Sequence, residues 1–466
     1  MTRLLVEDAP RFAAEVPVAI VGAGAAGLTA ALACADAGVE PLLIERDPVP
    51  RGSTSLSAGL IPAAGTRFQA AHGIADDAER FAADIQRKAH GRADPALVGT
   101  VTREAASAVE WLADAFGLPF SLVHDFDYPG HAARRMHGLP SRSGAELVDR
   151  LRGAAEAQGV PLLTDARVTG LVSDGQRLRG LVAQRPDGSE ERIGAAAIVL
   201  ACCGYGANKA LVRRFIPELA EATYFGHPGN EGDAVAWGEA LGARLRDMTG
   251  HQGHGSVAHP QGILVTWAVI MEGGFQVNLR GERFWNEASG YSEAALSVLR
   301  QPGGIAWDVF DARIAGIARQ FEDFRNAEAA GAVLSAPTSE ALAEAARLPA
   351  QSLAATLAGV DALKGRGATD GFGRDWSGAA PLLAPFHAVR VTGTLFHTQG
   401  GLVVDEATRV CLERGGTLPN LFAAGGAACG VSGPEASGYL SGNGLLTAVA
   451  LGRIAGRGAA AVARGE

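Results

Sequence analysis

The stretch Val18–Glu45, VAIVGAGAAGLTAALACADAGVEPLLIE, decides the fold of this chain. It begins with a short apolar run, Val18–Val21, of the length expected for a buried parallel strand. A glycine-rich turn and an alanine-rich segment with helical character follow. A second apolar run, Pro41–Ile44, ends on the carboxylate of Glu45. The order strand, turn, helix, strand predicts a βαβ unit and therefore a parallel sheet.

The glycines of this unit are spaced as GxGxxG at Gly22, Gly24 and Gly27. The first glycine permits a tight turn, the second lets the backbone approach a pyrophosphate, and the third lets the helix pack closely on the strand. A pyrophosphate would lie at the helix N-terminus, where free N–H groups and the helix dipole favour an anion. Glu45 lies where a ribose hydroxyl needs an acceptor. GxGxxG alone is a weak signal, but the whole unit predicts a dinucleotide site.

The composition sets limits on the class of protein. The chain has 466 residues, 47% of them apolar, which is enough for two or three domains with large cores. Its net charge of −9 argues against nucleic acid or an anionic membrane as partner. An acidic N-terminus without a secretory pattern, and the absence of an uncharged apolar run long enough to span a membrane, predict a cytoplasmic protein without a membrane span. The alanine-rich, lysine-poor composition suggests a bacterial source.

Five cysteines show no CxxC pair and no spacing typical of metal ligands, so we expect reduced thiols and no metal site. They are Cys34, Cys202, Cys203, Cys411 and Cys429.

The rest of the chain predicts three consecutive parts. Residues 1–254 form the first part of a dinucleotide-binding domain, in which a small antiparallel meander from about 160 to 193 precedes a return to the parallel sheet. Residues 255–380 have alanine-rich amphipathic segments and are predicted to be an inserted α+β cap domain. Residues 381–466 complete the dinucleotide-binding domain with further strands and a final helix. The fold class is therefore α/β, Rossmann-like, with an inserted cap.

Six motifs in a fixed order resemble the flavoprotein superfamily of fumarate reductases, succinate dehydrogenases and 3-ketosteroid dehydrogenases. They are VGAGAAGLTAA from Val21, RGSTSLSAG from Arg51, VLACCGYGAN from Val199, RGERFWNE from Arg280, HTQGGLVVD from His397 and LFAAGGAACGVSG from Leu421. The resemblance covers most of the chain and implies FAD as the cofactor, where the glycine spacing alone would suggest NAD. Ser53 stands at the position of the histidine that attaches FAD covalently in some members, which implies non-covalent FAD.

The resemblance places the FAD contacts on the motif residues and their neighbours. The residues implied are Gly22, Gly24, Ala25, Ala26, Gly27, Glu45, Arg46, Ser53, Thr54, Ser57, Ala58, Gly59, Val168, Ala201, Cys202, Gly204, Asn208, Asp233, Gly425, Asn443 and Leu445. The family usually has glutamate after the glycine equivalent to Gly425, where this chain has Gly426.

Two branches of the superfamily need different substrate sites. A fumarate-type site clamps two carboxylates with arginines and histidines, since charge-assisted hydrogen bonds stabilise the developing carbanion. This chain keeps Arg283, His397 and His254 as candidates for such contacts. The C-terminal arginine of the family falls on Tyr439, and the proton relay falls on Trp267 and Ile270. Half of the clamp and the relay are therefore predicted to be missing.

A ketone desaturase needs donors that polarise a carbonyl group and a base that removes the α proton. By resemblance to 3-ketosteroid dehydrogenases, Tyr291 would be the base and Tyr128 would assist it. Tyr439 and a backbone N–H near Gly442 or Asn443 would hold the carbonyl oxygen.

The prediction is an FAD-dependent dehydrogenase that introduces a C=C bond α,β to the carbonyl of a cyclic ketone, with the β hydride passing to flavin N5. The substrate is a 3-ketosteroid or a smaller oxocyclohexane-type compound, whose carboxylate Arg283 could bind. The alternative is a fumarate or enoate reductase with Arg283 as proton donor. A flavin-binding subunit or sensor without turnover is a third class, and the electron acceptor is undefined.

Overall fold

The computed structural model describes residues 2–124 and 127–466, which form 21 strands and 14 α-helices. The strands are β1 (Arg3–Val6), β2 (Ala14–Val21), β3 (Pro41–Ile44), β4 (Ile61–Pro62), β5 (Ser121–Leu122), β6 (Met136–Gly138), β7 (Leu162–Leu163), β8 (Arg167–Ser173), β9 (Leu178–Gln184), β10 (Glu190–Leu200), β11 (Thr223–Tyr224), β12 (Leu245–Arg246), β13 (His251–Ala258), β14 (Ile263–Leu264), β15 (Phe275–Val277), β16 (Ile305–Asp311), β17 (Val333–Ala336), β18 (Phe386–Thr398), β19 (Gly401–Leu402), β20 (Arg409–Cys411) and β21 (Thr417–Ala423).

The helices are α1 (Ala25–Asp36), α2 (Arg67–Ala71), α3 (Ala78–Lys88), α4 (Pro95–Phe116), α5 (Gly144–Ala157), α6 (Lys209–Phe215), α7 (Asp233–Leu241), α8 (Ala268–Met271), α9 (Tyr291–Leu299), α10 (Ala312–Ala318), α11 (Glu322–Ala329), α12 (Ser339–Ala346), α13 (Ala350–Arg366) and α14 (Asn443–Ala463). The predicted helix of the βαβ unit and the predicted final helix are present as α1 and α14, and residues 255–380, with their amphipathic segments, contain helices α8 to α13.

The first sheet has nine strands and is built around β2 and β10. Strands β10, β2, β3 and β7 run parallel in that order, and β21 pairs parallel with the other edge of β10. The antiparallel strands β8 and β9 join the sheet through the first half of β10. The parallel sheet with its meander confirms the predicted Rossmann-like α/β class.

Close packing around the first turn explains two of the motif glycines. Gly22 has φ +100°, and an added Cβ would lie 2.7 Å from the carbonyl oxygen of Ala201. An added Cβ at Gly27 would lie 1.8 Å from the carbonyl oxygen of Gly22. Helix α14 approaches α1 equally closely, since a Cβ at Gly456 would lie 2.2 Å from the carbonyl oxygen of Ala30. These glycines hold α1 between the sheet and α14.

The second sheet has seven strands, in the order β14-β13-β18-β16-β15, and β11 and β17 also pair with β18. Helices α10 to α13 cover this sheet and form a second hydrophobic core with it. Phe310, Phe324 and Trp376 lie at its centre and are fully buried. This sheet extends past both predicted domain boundaries. The boundary at residue 254 falls inside β13, and β18, which was assigned to the dinucleotide-binding part, is the central strand of the second sheet.

The meander is also smaller than predicted. Leu162–Leu163 pairs parallel with β3 instead of joining it. The meander and the returning parallel strand share one continuous strand, β10. Its first half pairs antiparallel with β9, its second half pairs parallel with β21, and β2 pairs parallel with it from Ile193 onward.

One helix among the described residues is long and apolar enough to cross a membrane, Asn443–Arg464. In the fold, 67% of its apolar window is buried, and it packs on α1, as a core helix does.

Candidate functional site

A large cavity opens where the carboxyl ends of the parallel strands meet the second sheet. Val21 at the end of β2, Glu45 after β3, Ala201 after β10 and Gly425 after β21 all line it. Ligands of open α/β sheets bind at this edge, where helix N-termini and loops converge. His397, near the end of β18, completes the wall from the second sheet.

Seventeen of the residues predicted to contact the cofactor line this cavity. They are Gly22, Gly24, Ala25, Ala26, Glu45, Arg46, Ser53, Thr54, Ser57, Ala58, Gly59, Val168, Ala201, Cys202, Asp233, Gly425 and Leu445. Their individual contacts with the cofactor stay predictions.

Four of the predicted residues lie outside the cavity wall and have packing roles. Gly27 allows α1 to approach the turn, and an added Cβ at Gly204 would lie 2.0 Å from Thr398 Oγ1. Asn208 caps α6, because its side chain accepts hydrogen bonds from the N–H groups of Ala210 and Leu211. Asn443 is buried and its Nδ2 donates to Ser432 Oγ over 3.0 Å.

The start of α1 fits a pyrophosphate. Gly24 is the N-cap residue, and the first turn of the helix contains no acidic side chain that would repel an anion. An added Cβ at Gly24 would meet a single atom within 4 Å, Thr54 Oγ1 at 3.4 Å, so the glycine leaves room on the cavity side. The hydroxyl of Thr54 accepts a hydrogen bond from Ala25 N over 3.1 Å and lies against the same turn.

Glu45 is held rigidly at the adjacent end of the cavity. Its Oε2 accepts a hydrogen bond from the N–H of Ala23 over 2.9 Å, and its Oε1 accepts from the N–H of Asp47 over 3.1 Å. The side chain is buried, with 7% of the residue exposed. Each carboxylate oxygen has a second lone pair, so Glu45 can still accept from a ribose hydroxyl.

At the opposite end, the three predicted tyrosines come together. Tyr128, Tyr291 and Tyr439 all line the cavity, although their numbers lie up to 311 positions apart in the sequence. The rings of Tyr291 and Tyr439 have centroids 6.1 Å apart, and Tyr439 lies edge-on to His397 with centroids 5.4 Å apart. Tyr128, the end of β18 with His397, and the segment that begins α14 after Tyr439 therefore build one site.

The hydroxyl of Tyr439 lies at the N-terminus of α14. It accepts a hydrogen bond from the N–H of Gly444 over 3.3 Å. Burial raises the pKa of Tyr439 above its ordinary value, while hydrogen bonds from Gly444, Tyr291 and Gly442 act in the opposite direction. With N–H groups directed at its oxygen, Tyr439 is prepared to donate its own O–H into the cavity.

Two histidines of the cavity are neutral. A hydrogen bond selects the tautomer of His254, whereas Nδ1 of His397 lies near both the Gln399 amide and, at 3.3 Å, the carbonyl oxygen of Thr398. Nδ1 of His254 accepts the N–H of Ser256 over 3.1 Å, so its proton lies on Nε2. Nδ1 of His397 lies 3.0 Å from Gln399 Nε2. Gln399 Oε1 accepts from Ser432 Oγ over 2.7 Å, which orients the amide to donate to His397. Burial lowers the pKa of His254 to about 3 and that of His397 to about 4.

Arg283 does not belong to the site, and its predicted contact with substrate is wrong. It lies in a buried ion-pair cluster, where it donates to Glu287 Oε2 over 2.6 Å and to Asp370 Oδ2 over 2.5 Å. Its guanidinium also lies 4.9 Å from the ring centre of Trp376. Both carboxylates are nearly inaccessible, so Arg283 neutralises them within the second sheet's core and cannot reach the cavity.

Within residues 2–124 and 127–466, the arginines that line the cavity are Arg46 and Arg167. Arg46 donates to the carbonyl oxygen of Gly229 over 2.8 Å, and Arg167 pairs with Glu231 over 2.6 Å. Both lie at the end of the cavity near Glu45, since Arg46 follows it directly. The described residues contain no group of three or more metal-binding side chains.

Several cavity residues were not predicted from the sequence. Phe225 and Phe396 stack with ring centroids 4.6 Å apart, because β11 pairs with β18 beside the cavity. Trp267 lines the cavity as an aromatic wall, and Asp323 of α11 reaches it from the second sheet's helical cover. Gln399 also lines the cavity and carried a local signal, because it lies within the HTQGG motif.

The sequence matches the FAD binding domain family over residues 17–445. The chain belongs to this family. It is 32% identical over 448 residues to a probable fumarate reductase, Ifc3, of Shewanella frigidimarina, and the match covers 95% of this chain and 74% of that protein.

Solved structures of two kinds are similar to this member of the FAD-binding family. An open conformation of a flavocytochrome c3 fumarate reductase has a TM-score of 0.81 and 31% identity, with 97% of this chain and 79% of that chain covered. A 3-ketosteroid-Δ4-(5α)-dehydrogenase from Rhodococcus jostii RHA1, in complex with 4-androstene-3,17-dione, has a TM-score of 0.76 and 25% identity, with 99% and 100% covered. The predicted superfamily and FAD as cofactor are confirmed, and the protein is an FAD-dependent oxidoreductase.

Non-covalent attachment of FAD stays a prediction. Ser53, at the position of the histidine that attaches FAD in some members, lines the cavity. Its hydroxyl accepts hydrogen bonds from His227 N over 3.0 Å and from Asn230 Nδ2 over 2.8 Å.

Proposed function

We propose that this FAD-dependent oxidoreductase interconverts a CH–CH bond and a C=C bond next to the carbonyl group of a cyclic ketone, either a 3-ketosteroid or a smaller oxocyclohexane-type compound. FAD held by the glycine turn would supply the hydride acceptor. The observation that carries the proposal is the tyrosine cluster, which lies where no arginine or lysine of the described chain lines the cavity.

Tyr439 is placed to bind the carbonyl oxygen. Its oxygen accepts the N–H of Gly444, so its proton is available to a substrate acceptor. A donor that meets an oxygen as negative charge develops stabilises the transition state more than the ground state. The N–H groups at the start of α14 strengthen this effect, because the positive end of the helix dipole lies beside the enolate oxygen.

Tyr291 is placed to exchange the α proton. It is the first residue of α9, its ring stacks on His254 with centroids 4.9 Å apart, and Trp267 lies edge-on to it at 6.2 Å. These rings fix the direction of the hydroxyl group. Tyr128 lines the same part of the cavity and would assist Tyr291.

The second candidate is a fumarate or enoate reductase, and the comparisons support it better than they support a desaturase. The sequence relative and the structural neighbour with the higher TM-score both carry the name fumarate reductase. Neutral His254 and His397 could each donate one hydrogen bond to a carboxylate. Arg283 cannot be the proton donor that the sequence suggested for such a reductase, because it is enclosed by Glu287 and Asp370.

The two candidates separate in an anaerobic experiment that follows the flavin absorbance. The oxidised enzyme is mixed with 4-oxocyclohexanecarboxylate, with a saturated 3-ketosteroid and with succinate. The reduced enzyme is mixed with fumarate. A ketone desaturase is bleached by a ketone and not by succinate. Reoxidation by fumarate without bleaching by either ketone would overturn the proposal in favour of the enoate reductase.

The variant Tyr291→Phe tests the role of the tyrosine hydroxyl group in the same panel. It keeps the ring that stacks on His254 and removes only the hydroxyl group. If the proposal holds, Tyr291→Phe binds FAD with an unchanged spectrum and loses the bleaching seen in the wild type. Unchanged bleaching in this variant would show that Tyr291 is not the proton-exchanging group.

A further inference from the structure

A second, much smaller cavity lies behind the tyrosine cluster. Tyr291, Tyr439 and Ser441 line both cavities and separate them. The small cavity has a volume of about 10 Å³. A cavity of roughly 10–15 Å³ accommodates one water molecule when polar groups surround it. Lys88 and Glu293 are the charged residues that line it.

Glu293 is bound on one side only. It lies in the first turn of α9, two residues after Tyr291, and its Oε1 accepts from Lys88 Nζ. Its Oε2 is buried and has no hydrogen-bond partner among the described residues. An unpartnered buried carboxylate oxygen is costly unless water or a proton satisfies it.

The charged side chains that line the small cavity are partly exposed to solvent. The side chains of Lys88 and Glu293 are 16% and 19% exposed, and Lys88 Nζ donates to the carbonyl oxygen of Ser289 over 2.8 Å. The lining of the small cavity therefore extends from Tyr291 on the inside to Lys88 and Glu293 at the protein surface.

We propose that Glu293 is the proton-exchange residue of this enzyme and connects Tyr291 to solvent through a water molecule in the small cavity. The proposal rests on the proposed function, because it needs Tyr291 to handle the substrate proton. In the family, the proton relay lies at the positions of Trp267 and Ile270, and neither side chain here has an ionisable group. The route through Glu293 does not need them.

The proton balance is the same for every turnover. When a C–H bond α to the carbonyl breaks, Tyr291 Oη accepts that proton while its own phenol proton passes to the water molecule. The water passes one proton to Oε2 of Glu293, which releases it to solvent. The β hydrogen leaves with the electron pair of its C–H bond, and FAD, when bound, would supply the acceptor for this hydride, so the substrate loses two hydrogens in total. In the direction of C=C reduction, each transfer runs in reverse.

The environment of Tyr291 makes such a route necessary. Burial raises the pKa of Tyr291 well above its ordinary value, and Tyr439, Tyr128 and Glu293 add to this. A free phenolate is therefore scarce, and proton abstraction requires that the phenol proton leave at the same time. Burial raises the pKa of Glu293 above its ordinary value, although Lys88 and His90 act in the opposite direction.

The test compares Glu293→Gln with Glu282→Gln, which makes the same chemical change at a side chain that is 52% exposed. The probe is whichever compound of the ketone and fumarate panel reacts with wild-type flavin. We expect Glu293→Gln to slow flavin bleaching or reoxidation by at least about 100-fold, the low end for loss of a proton-transfer group. The KM and the FAD spectrum of Glu293→Gln should match those of the wild type. All three quantities should be unchanged in Glu282→Gln. A rate for Glu293→Gln equal to that of the wild type would overturn the proposal.

A second measurement needs no variant at Glu293. In mixtures of H₂O and D₂O, a route with several protons moving together predicts that the wild-type rate falls along a curved line as the deuterium fraction increases. A straight line, the result for one moving proton, would contradict the relay. If Tyr291→Phe also leaves the rate unchanged, the proposed function itself fails; if only Glu293→Gln does, the relay alone fails.

Discussion

The substitution Tyr439→Phe removes a single oxygen atom from the centre of the site. In the structure this oxygen accepts the N–H of Gly444 and contacts Tyr291. The variant keeps the ring that lies edge-on to His397. It therefore removes the donor to the carbonyl oxygen with little change in shape.

The expected loss follows from the role of one oxyanion donor. Removing such a donor costs about 10² to 10³ in kcat, or roughly 3 to 4 kcal/mol of transition-state stabilisation. Because the ring remains, KM should change much less than kcat. The assay is the rate of flavin bleaching by a saturating ketone under anaerobic conditions, with kcat and KM obtained from its concentration dependence.

Tyr205→Phe is the matched control, because it removes another buried tyrosine oxygen outside the cavity. The hydroxyl of Tyr205 donates to the carbonyl oxygen of Met248. Leaving that carbonyl without a partner should cost about 1 to 3 kcal/mol of stability and leave kcat unchanged. A Tyr439→Phe enzyme with wild-type kcat would refute the assignment of the carbonyl-binding group.

Three further predictions concern the fold and the cofactor. Arg283→Met should lower the free energy of unfolding by about 3 to 5 kcal/mol in urea titrations, since it leaves the buried Asp370 without its cation and Glu287 with Arg374 alone, but should not change kcat per bound FAD; a large loss of kcat would restore Arg283 to the site. Gly24→Ala should fold and retain less FAD, whereas Gly27→Ala should fail to accumulate as folded protein, because its Cβ would lie 1.8 Å from a carbonyl oxygen; equal FAD content in both purified variants would contradict this. His254 and His397, with pKa values lowered to about 3 and about 4, stay neutral in the fold while the unfolded chain takes up protons below about pH 6.5. Stability should therefore fall as the pH falls from 6.5 towards 4, by about 1.4 kcal/mol per pH unit for each histidine, and the double variant His254→Asn, His397→Asn should lose part of this slope.

The sequence was sufficient for the parts of the fold that depend on local pattern. The βαβ unit from Val18 to Glu45 carries its strand, turn and helix signals within one continuous stretch, and the structure has β2, α1 and β3 at those places. The tyrosine cluster could be predicted because each member lies in or beside a motif with a fixed position in the family order.

Other features depend on contacts that a single sequence does not contain. Arg283 lies in a motif, but its partner Asp370 is 87 residues away, and only the packed second sheet shows that the two neutralise each other. The predicted boundary near residue 254 falls inside β13, which pairs with β18 more than 120 residues further along the chain, and no local pattern marks that pairing. The unpartnered oxygen of Glu293 likewise becomes visible only when α3 packs beside α9.

The central claim is that Tyr291 and FAD together remove a proton and a hydride from adjacent carbons beside a carbonyl group. The most direct measurement is the rate of flavin bleaching with a ketone deuterated at the β carbon, compared between the wild type and Tyr291→Phe. The account predicts a primary isotope effect on bleaching in the wild type and loss of bleaching in the variant. Bleaching that is insensitive to β deuteration and survives in Tyr291→Phe would contradict it.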